Sequence, residues 1–201
     1  DQIVAGCDVW LIPYVGLYRK FSKPTVVTIH DLVCYHFPEV LDPQSLGIFK
    51  SLAEDVSSRS TISACMSNFI RDNDLYGILN LPEHKVRVVQ PAAPTDFGTL
   101  ADPVRAAAAY PILQQKYIFY PSAFRSYKNH ELLVKAIQRI RAEGHDDLHL
   151  VFTGIHAPRP ALVELIKECG VEDRVHVLGK VERDVLWHMV VKRRRVLRYG
   201  A

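Results

Sequence analysis

The stretch FYPSAFRSYKNHELL, residues 119–133, contains a strand end, a short polar loop and the start of a helix. The apolar run at 117–120 predicts a strand that stops at Pro121. The loop ends in Lys128-Asn129-His130. Apolar residues then recur at helical spacing: Leu132, Leu133, Ala136, Ile137 and Ile140. A strand followed directly by a helix predicts one half of a βαβ unit.

The same alternation of strand and helix runs along most of the chain. Apolar runs predict strands at 25–29, 60–65, 85–89, 117–120, 148–152 and 175–178. Helical patterns lie at 42–58, 67–74, 129–142, 160–169 and 182–191. This order predicts an α/β protein with parallel sheets. Each half has about three strands, fewer than a complete doubly wound domain, so we expect parts of two Rossmann-like domains.

Composition and charge exclude several classes of protein. No apolar run approaches the ~20 residues that span a bilayer, and the first residues lack a signal-peptide pattern. Four widely spaced cysteines form no metal-ligand motif and indicate reduced thiols in a cytosolic protein. Removing the five basic residues of 191–201 from the net charge of +3 leaves −2. The body of the chain is therefore not a nucleic-acid-binding surface.

Four strands are followed by residues suited to binding a ligand. These are His30-Asp31, the loop 121–128, Thr153-Gly154 and Gly179-Lys180. In open parallel sheets, ligands bind outside the carboxyl ends of the strands. The convergence of these residues on strand ends predicts ligand sites there.

The loop 121–128 has the features of an anion site. A helix that starts near Asn129 presents unpaired N–H groups and the positive end of its dipole. Lys128 adds a full charge and Arg125 can add another, so a phosphate is the expected ligand. The alternative is a solvated lysine in front of an Asn-capped helix. The loop lacks the glycines of a dinucleotide or Walker fingerprint.

His30 is the second candidate, and its role stays open between two readings. It is either a hydrogen-bonded structural residue or a ligand contact, with Asp31 orienting the imidazole or capping the turn. No catalytic triad can be argued from spacing, and the other histidines show no metal-ligand pattern.

Three stretches resemble the group 1, or family 4, glycosyltransferases of the GT-B fold. DVWLIP with KPTVVTIHDLVCYHFPEV is similar to an acceptor-domain segment whose strand ends in His-Asp. STISACMSNFIRDNDLYGILNLPEHKVRVVQPA resembles the strand, helix and strand that follow it. The stretch from YIFYPSAFRSYKNHELL to DRVHVLGKVERDVLWHMV resembles the first half of the donor domain.

The resemblance implies four segments with different roles. Residues 1–95 would be the C-terminal part of the acceptor-side domain and 96–115 a connection. Residues 116–190 would be the N-terminal part of the nucleotide-sugar donor domain, and 191–201 a basic tail. The family's N-terminal Gly-rich loop and C-terminal acidic motif are missing from the sequence, so we expect a truncated member.

The resemblance also implies a reaction and its residues. A sugar, with mannose the guess, would move with retention from a nucleotide-diphosphate sugar to a polysaccharide or lipid-linked acceptor, without a metal or other cofactor. His30 would contact the transferred sugar, and Lys128 would neutralise the leaving diphosphate, with Arg125 as a stand-in for the family's missing arginine. Gly154, Gly179 and Val181 would line the nucleotide pocket.

The expected location is the cytoplasm, with peripheral membrane contact and no nucleic-acid partner. A different hypothesis is a non-catalytic truncated remnant that binds nucleotide weakly at most. A third, an α/β binding module of the response-regulator type, predicts an acidic cluster at strand ends that the sequence does not show.

Overall fold

The computed structural model describes residues 6–15, 22–92 and 101–191. The chain divides into two compact units, one up to residue 93 and one from residue 94. The predicted basic tail lies outside the described residues from residue 192 onward.

The first unit contains a parallel sheet of four strands in the order β1-β2-β3-β4. The strands are β1 (Trp10–Ile12), β2 (Thr25–Ile29), β3 (Ile62–Cys65) and β4 (Val86–Val88). β2 pairs with a neighbour on each side, and its Val27 and Ile29 are fully buried. These two residues lie on one face of the strand, whereas Val26 and Thr28 on the other face are half-buried, so β2 is buried more deeply on one face than on the other.

Helices connect these strands, and the sequence predicts the second and the third of these helices but not the first. They are α1 (Val33–His36) and α2 (Pro43–Arg59), followed by a π-helix (Ile70–Tyr76). The Asp42 side chain accepts the Ser45 N–H at 3.0 Å, which confirms the N-cap of α2. The predicted helix after β3 instead has i→i+5 hydrogen bonds along most of its length, a geometry that apolar spacing does not reveal.

The second unit contains a parallel sheet of three strands in the order β5-β6-β7. The strands are β5 (Lys116–Pro121), β6 (Leu148–Thr153) and β7 (Val175–Val177). Its helices are α3 (Pro103–Ala109), α4 (His130–Ala142), α5 (Pro160–Glu168) and α6 (Arg183–Val191). Because the strands are parallel, the turns after β5, β6 and β7 lie at one edge of the sheet.

The described part of the segment expected as a connection contains a helix, α3. Asp102 caps it by accepting the Arg105 N–H at 2.9 Å. Its Ala106 and the following Leu113 are fully buried, in one cluster with Tyr117 of β5. Pro, Gly and Ala dominate this segment and predict a loose connection, whereas the small Ala106 lets α3 pack closely in that cluster.

Two histidines contact each other near the amino end of β6, away from the turns. His149 Nδ1 lies 3.0 Å from His176 Nε2 on β7, and Arg174 Nη1 lies 3.4 Å from His149 Nε2. Burial lowers the pKa of both imidazoles. Arg174 lowers them further, and the carboxylate of Asp173 opposes this.

We predict that the free energy of unfolding falls as the pH decreases from 7 to 5. Burial also lowers the pKa of His130. Below the ordinary value of 6.5 the unfolded chain therefore binds more protons than the folded chain. Urea unfolding at several pH values measures this slope, and a His149→Gln, His176→Gln double variant should have a smaller one. A stability that stays constant or rises toward pH 5 would contradict the prediction.

Candidate functional site

A cleft of about 340 Å³ lies at the carboxyl ends of the three strands of the second unit. Its lining comes from the turns after β5, β6 and β7 and from the first half of α6. The lining residues are Pro121, Ser122, Ala123, Thr153, Gly154, Ile155, Gly179, Lys180, Val181 and Leu186. Three residues singled out in the sequence, Gly154, Gly179 and Val181, thus lie together.

Backbone hydrogen bonds join the three turns to one another. Ser122 N–H donates to the Thr153 carbonyl at 2.9 Å, and Gly154 N–H donates to the Gly179 carbonyl at 3.0 Å. A Cβ on Gly154 would lie 2.6 Å from the Ser122 carbonyl oxygen, so a side chain does not fit there. Gly179 has φ +67°, a left-handed conformation that favours glycine. These two glycines can therefore contact a ligand only through their backbone N–H and carbonyl groups.

Lys128 and Arg125 lie on the loop that leaves the cleft, outside its lining. Ser126–Lys128 forms one 3-10 turn, in which Lys128 N–H donates to the Arg125 carbonyl at 3.1 Å. The Tyr120 hydroxyl donates to the Lys128 carbonyl at 2.8 Å and fixes the end of the loop. In the described part of the chain, neither cation forms an ion pair with a carboxylate.

The helix α4 begins directly after this loop, as the anion-site argument requires. Asn129 is left-handed at φ 50°, and its side chain accepts the Leu132 N–H at 3.3 Å. The Lys128 ammonium lies 4.9 Å from the centre of the Tyr127 ring. The predicted Asn cap and the basic residue beside it are both present.

His130 is a residue of this site that the sequence reasoning did not single out. It is 2% exposed and packs against the rings of Phe124 and Phe152, with 4.7 Å and 5.0 Å between the ring centres. Burial lowers its pKa, while a hydrogen bond to the Ser122 backbone acts in the other direction. His130 therefore ties the start of α4 to the lining of the cleft. The sequence feature that could have identified it is its position directly after Lys128 and Asn129.

In the first unit, His30 lies at the carboxyl end of β2, as predicted. Its Nε2 lies 2.9 Å from the Pro13 carbonyl oxygen and its Nδ1 lies 3.0 Å from Met66 Sδ. The Tyr14 ring is next to it, with 6.1 Å between the ring centres. The neighbouring Asp31 accepts the Val33 N–H at 3.1 Å and so caps the turn. Residues after β1, β2 and β3 thus surround one imidazole.

Within the described residues the structure shows neither a cluster of metal ligands nor a membrane-spanning helix. Across 6–15, 22–92 and 101–191 no group of three or more His, Cys, Asp or Glu side chains could hold a metal ion. No helix within those ranges is long and apolar enough to cross a membrane.

Comparison with known proteins gives one family match. Residues 107–196 match the family described as glycosyl transferases, group 1, and this segment carries the cleft, the Lys128 loop and α6. No curated protein matches the chain.

Solved structures of glycosyltransferases are similar in fold. HepE of Anabaena, in complex with UDP-glucose, has a TM-score of 0.60 at 15% identity, over 83% of this chain and 44% of HepE. WaaG, a glycosyltransferase involved in lipopolysaccharide biosynthesis, has a TM-score of 0.60 at 13% identity, over 91% of this chain and 51% of WaaG. The trehalose-6-phosphate synthase OtsA has a TM-score of 0.55 at 10% identity, over 85% of this chain and 45% of OtsA.

This chain therefore spans about half the length of these structures. At identities of 10–15% the similarity concerns the fold. The expected fold class, α/β with parts of two Rossmann-like parallel-sheet domains of the GT-B type, is confirmed.

We predict that Gly154→Ala destabilises the chain by about 1–3 kcal/mol, because the new methyl group collides with the Ser122 carbonyl. Gly47→Ala is the matched control, since Gly47 lies exposed within α2 with nothing within 4 Å of a new Cβ. It should stabilise the chain by about 0.5–1 kcal/mol. Urea unfolding of both variants tests the pair, and equal effects at the two glycines would refute the steric argument.

Proposed function

We propose, because residues 107–196 match the family of group 1 glycosyl transferases, that this chain carries parts of a retaining glycosyltransferase. The donor is a nucleotide-diphosphate sugar, and the acceptor is a polysaccharide or lipid-linked glycan. The observation that carries the proposal is the cleft at the ends of β5, β6 and β7, with a basic loop and a helix N-terminus beside it.

The cleft suits the nucleoside of such a donor. Its volume falls within the roughly 300–1,000 Å³ usual for small-molecule sites. The Gly154 carbonyl and the Gly179 N–H, which the hydrogen bond between these glycines does not use, offer hydrogen-bonding groups. Ile155 and Leu186 offer apolar contact for the faces of a base. Val181 completes this lining on the side of α6.

Lys128 and Arg125 suit the diphosphate. During transfer, the bond between the anomeric carbon and the diphosphate oxygen breaks, and its electron pair stays on that oxygen. The Lys128 ammonium and the N-terminus of α4 stabilise the growing negative charge, and Arg125 adds a second cation. The new bond forms between the anomeric carbon and an acceptor hydroxyl oxygen, and the proton of that hydroxyl passes to the departing diphosphate. These protein charges supply the stabilisation, so we propose no metal or other cofactor.

His30 is the proposed contact to the transferred sugar. Both of its ring nitrogens already contact acceptors, the Pro13 carbonyl and the Met66 sulfur. A sugar hydroxyl would therefore take the place of one of these contacts. The half-buried imidazole at a strand end is accessible enough for such an exchange.

The finer assignments rest on resemblance. The TIHD and KNH sequences at His30 and His130 are similar to those of bacterial surface-polysaccharide mannosyltransferases, which favours mannose as the sugar. HepE with UDP-glucose and WaaG in lipopolysaccharide biosynthesis favour an activated sugar as donor and a glycolipid as acceptor. Such acceptors imply a cytoplasmic protein in peripheral contact with a membrane, and no nucleic-acid partner is proposed.

We predict that Lys128→Ala weakens binding of GDP or UDP by about 10- to 100-fold, the loss of one or two charge-assisted hydrogen bonds. Isothermal titration calorimetry of the chain with GDP, UDP, GDP-mannose and UDP-glucose measures this loss and ranks the bases. Lys135→Ala is the control, because Lys135 is an exposed lysine further along α4. Binding that is equal in wild type and Lys128→Ala would refute the diphosphate assignment.

A turnover assay separates an enzyme from a non-catalytic remnant. The chain is incubated with the nucleotide sugar that binds best, and release of free nucleotide is followed with and without a glycolipid acceptor. We expect release that requires His30 and Lys128, and proton NMR of the product should show the donor's anomeric configuration. A folded chain that binds nucleotide weakly or not at all and shows no turnover would instead support the remnant.

A further inference from the structure

Asp74 is a buried carboxylate that joins two distant segments of the first unit. Its side chain is 3% exposed and lies in the π-helix after β3. Oδ2 accepts the Leu32 N–H at 3.0 Å, and Oδ1 accepts a hydrogen bond from His36 Nε2 at 2.8 Å. Both oxygens are thus used by a segment about forty residues earlier in the chain.

The two hydrogen bonds hold both ends of α1. Leu32 is the residue before the first turn of this helix, and His36 is its last residue. A helix of four residues has almost no stability of its own, so outside contacts determine its position. Asp31 satisfies the next backbone donor, the Val33 N–H, at 3.1 Å. Two carboxylates therefore fix the first turn of α1.

This arrangement leaves His30 little freedom. Ile29 on one side and Leu32 on the other are fully buried. The Leu32 N–H, two residues after His30, is fixed by Asp74. The backbone that carries the imidazole is consequently held at both ends, and the ring lies between the Pro13 carbonyl and Met66 Sδ.

We infer that Asp74, with His36 as its second anchor, is a positioning residue that sets the orientation of the His30 imidazole. A buried carboxylate is costly unless its oxygens are hydrogen-bonded. Asp74 has both oxygens paired with the segment that carries His30, and neither with its own helix. The functional meaning of this positioning rests on the proposed contact between His30 and the sugar.

The test compares the imidazole signals of His30 in variants of the chain labelled with ¹⁵N and ¹³C at histidine. His30→Gln identifies the signals by their loss. Asp74→Ala should shift and broaden them, because the turn is released. Asp74→Asn should restore most of the wild-type pattern, because its amide oxygen can accept from the Leu32 N–H and its amide nitrogen can donate to His36 Nε2 when that imidazole carries its proton on Nδ1. Asp72→Ala should leave them unchanged, since Asp72 is exposed and pairs with Arg71.

His36→Ala keeps the test decisive if Asp74→Ala does not fold. His36 is 40% exposed, so its removal leaves a folded chain that has lost one of the two anchors. We expect a smaller shift of the His30 signals in this variant, in the same direction. Unchanged His30 signals in folded His36→Ala or folded Asp74→Ala would overturn the inference.

Ligand binding provides a second measurement, which would not change if Asp74 had a purely structural role. Asp74→Ala and His30→Ala should both reduce the affinity ratio of GDP-mannose to GDP, whereas GDP alone should bind as to wild type. An unchanged ratio in folded Asp74→Ala, with His30→Ala reducing it, would overturn the inference. If no nucleotide or nucleotide sugar binds the wild-type chain, the proposed function fails, and the His30 signals still test the positioning.

Discussion

The site of the second unit depends on one close backbone approach, between Gly154 and the Ser122 carbonyl. A side chain at position 154 would place its Cβ 2.6 Å from that oxygen. This contact, with the hydrogen bonds Ser122–Thr153 and Gly154–Gly179, sets the spacing of three strand ends. The cleft exists because parallel strands bring these turns to one edge and because glycine lets them come close.

The basic residues next to the cleft, Arg125 and Lys128, lie on the loop between β5 and α4. Its end is fixed twice, by Tyr120 on the Lys128 carbonyl and by the Asn129 cap of α4. Buried His130 joins the same helix start to Ser122. A cation on a well-held loop costs little further ordering when an anion binds, which favours preorganised stabilisation of a leaving diphosphate.

Most of the fold could be predicted from the sequence, because strands buried on both faces are continuous apolar runs and Asp42 and Asn129 are ordinary helix caps. The three-residue β1, the helices α1 and α3 and the π geometry of the helix after β3 could not be predicted. They are short, or they depend on packing that spacing does not reveal. The part of the site that lies in the turns after the strands, such as Gly154, could be predicted from the sequence. Asp74 could not be found, because its partners at Leu32 and His36 are distant in the sequence and only the fold brings them to it.

The central claim is that the strand ends of the second unit bind a nucleoside diphosphate, and the most direct measurement is to map that binding by NMR. Backbone amide signals of the ¹⁵N-labelled chain are recorded during titration with GDP and with UDP. The account predicts that the largest changes occur at Ser122, Gly154, Gly179 and Lys180 and along the loop to Lys128. A folded chain whose signals do not change, or change only in other regions, would contradict it.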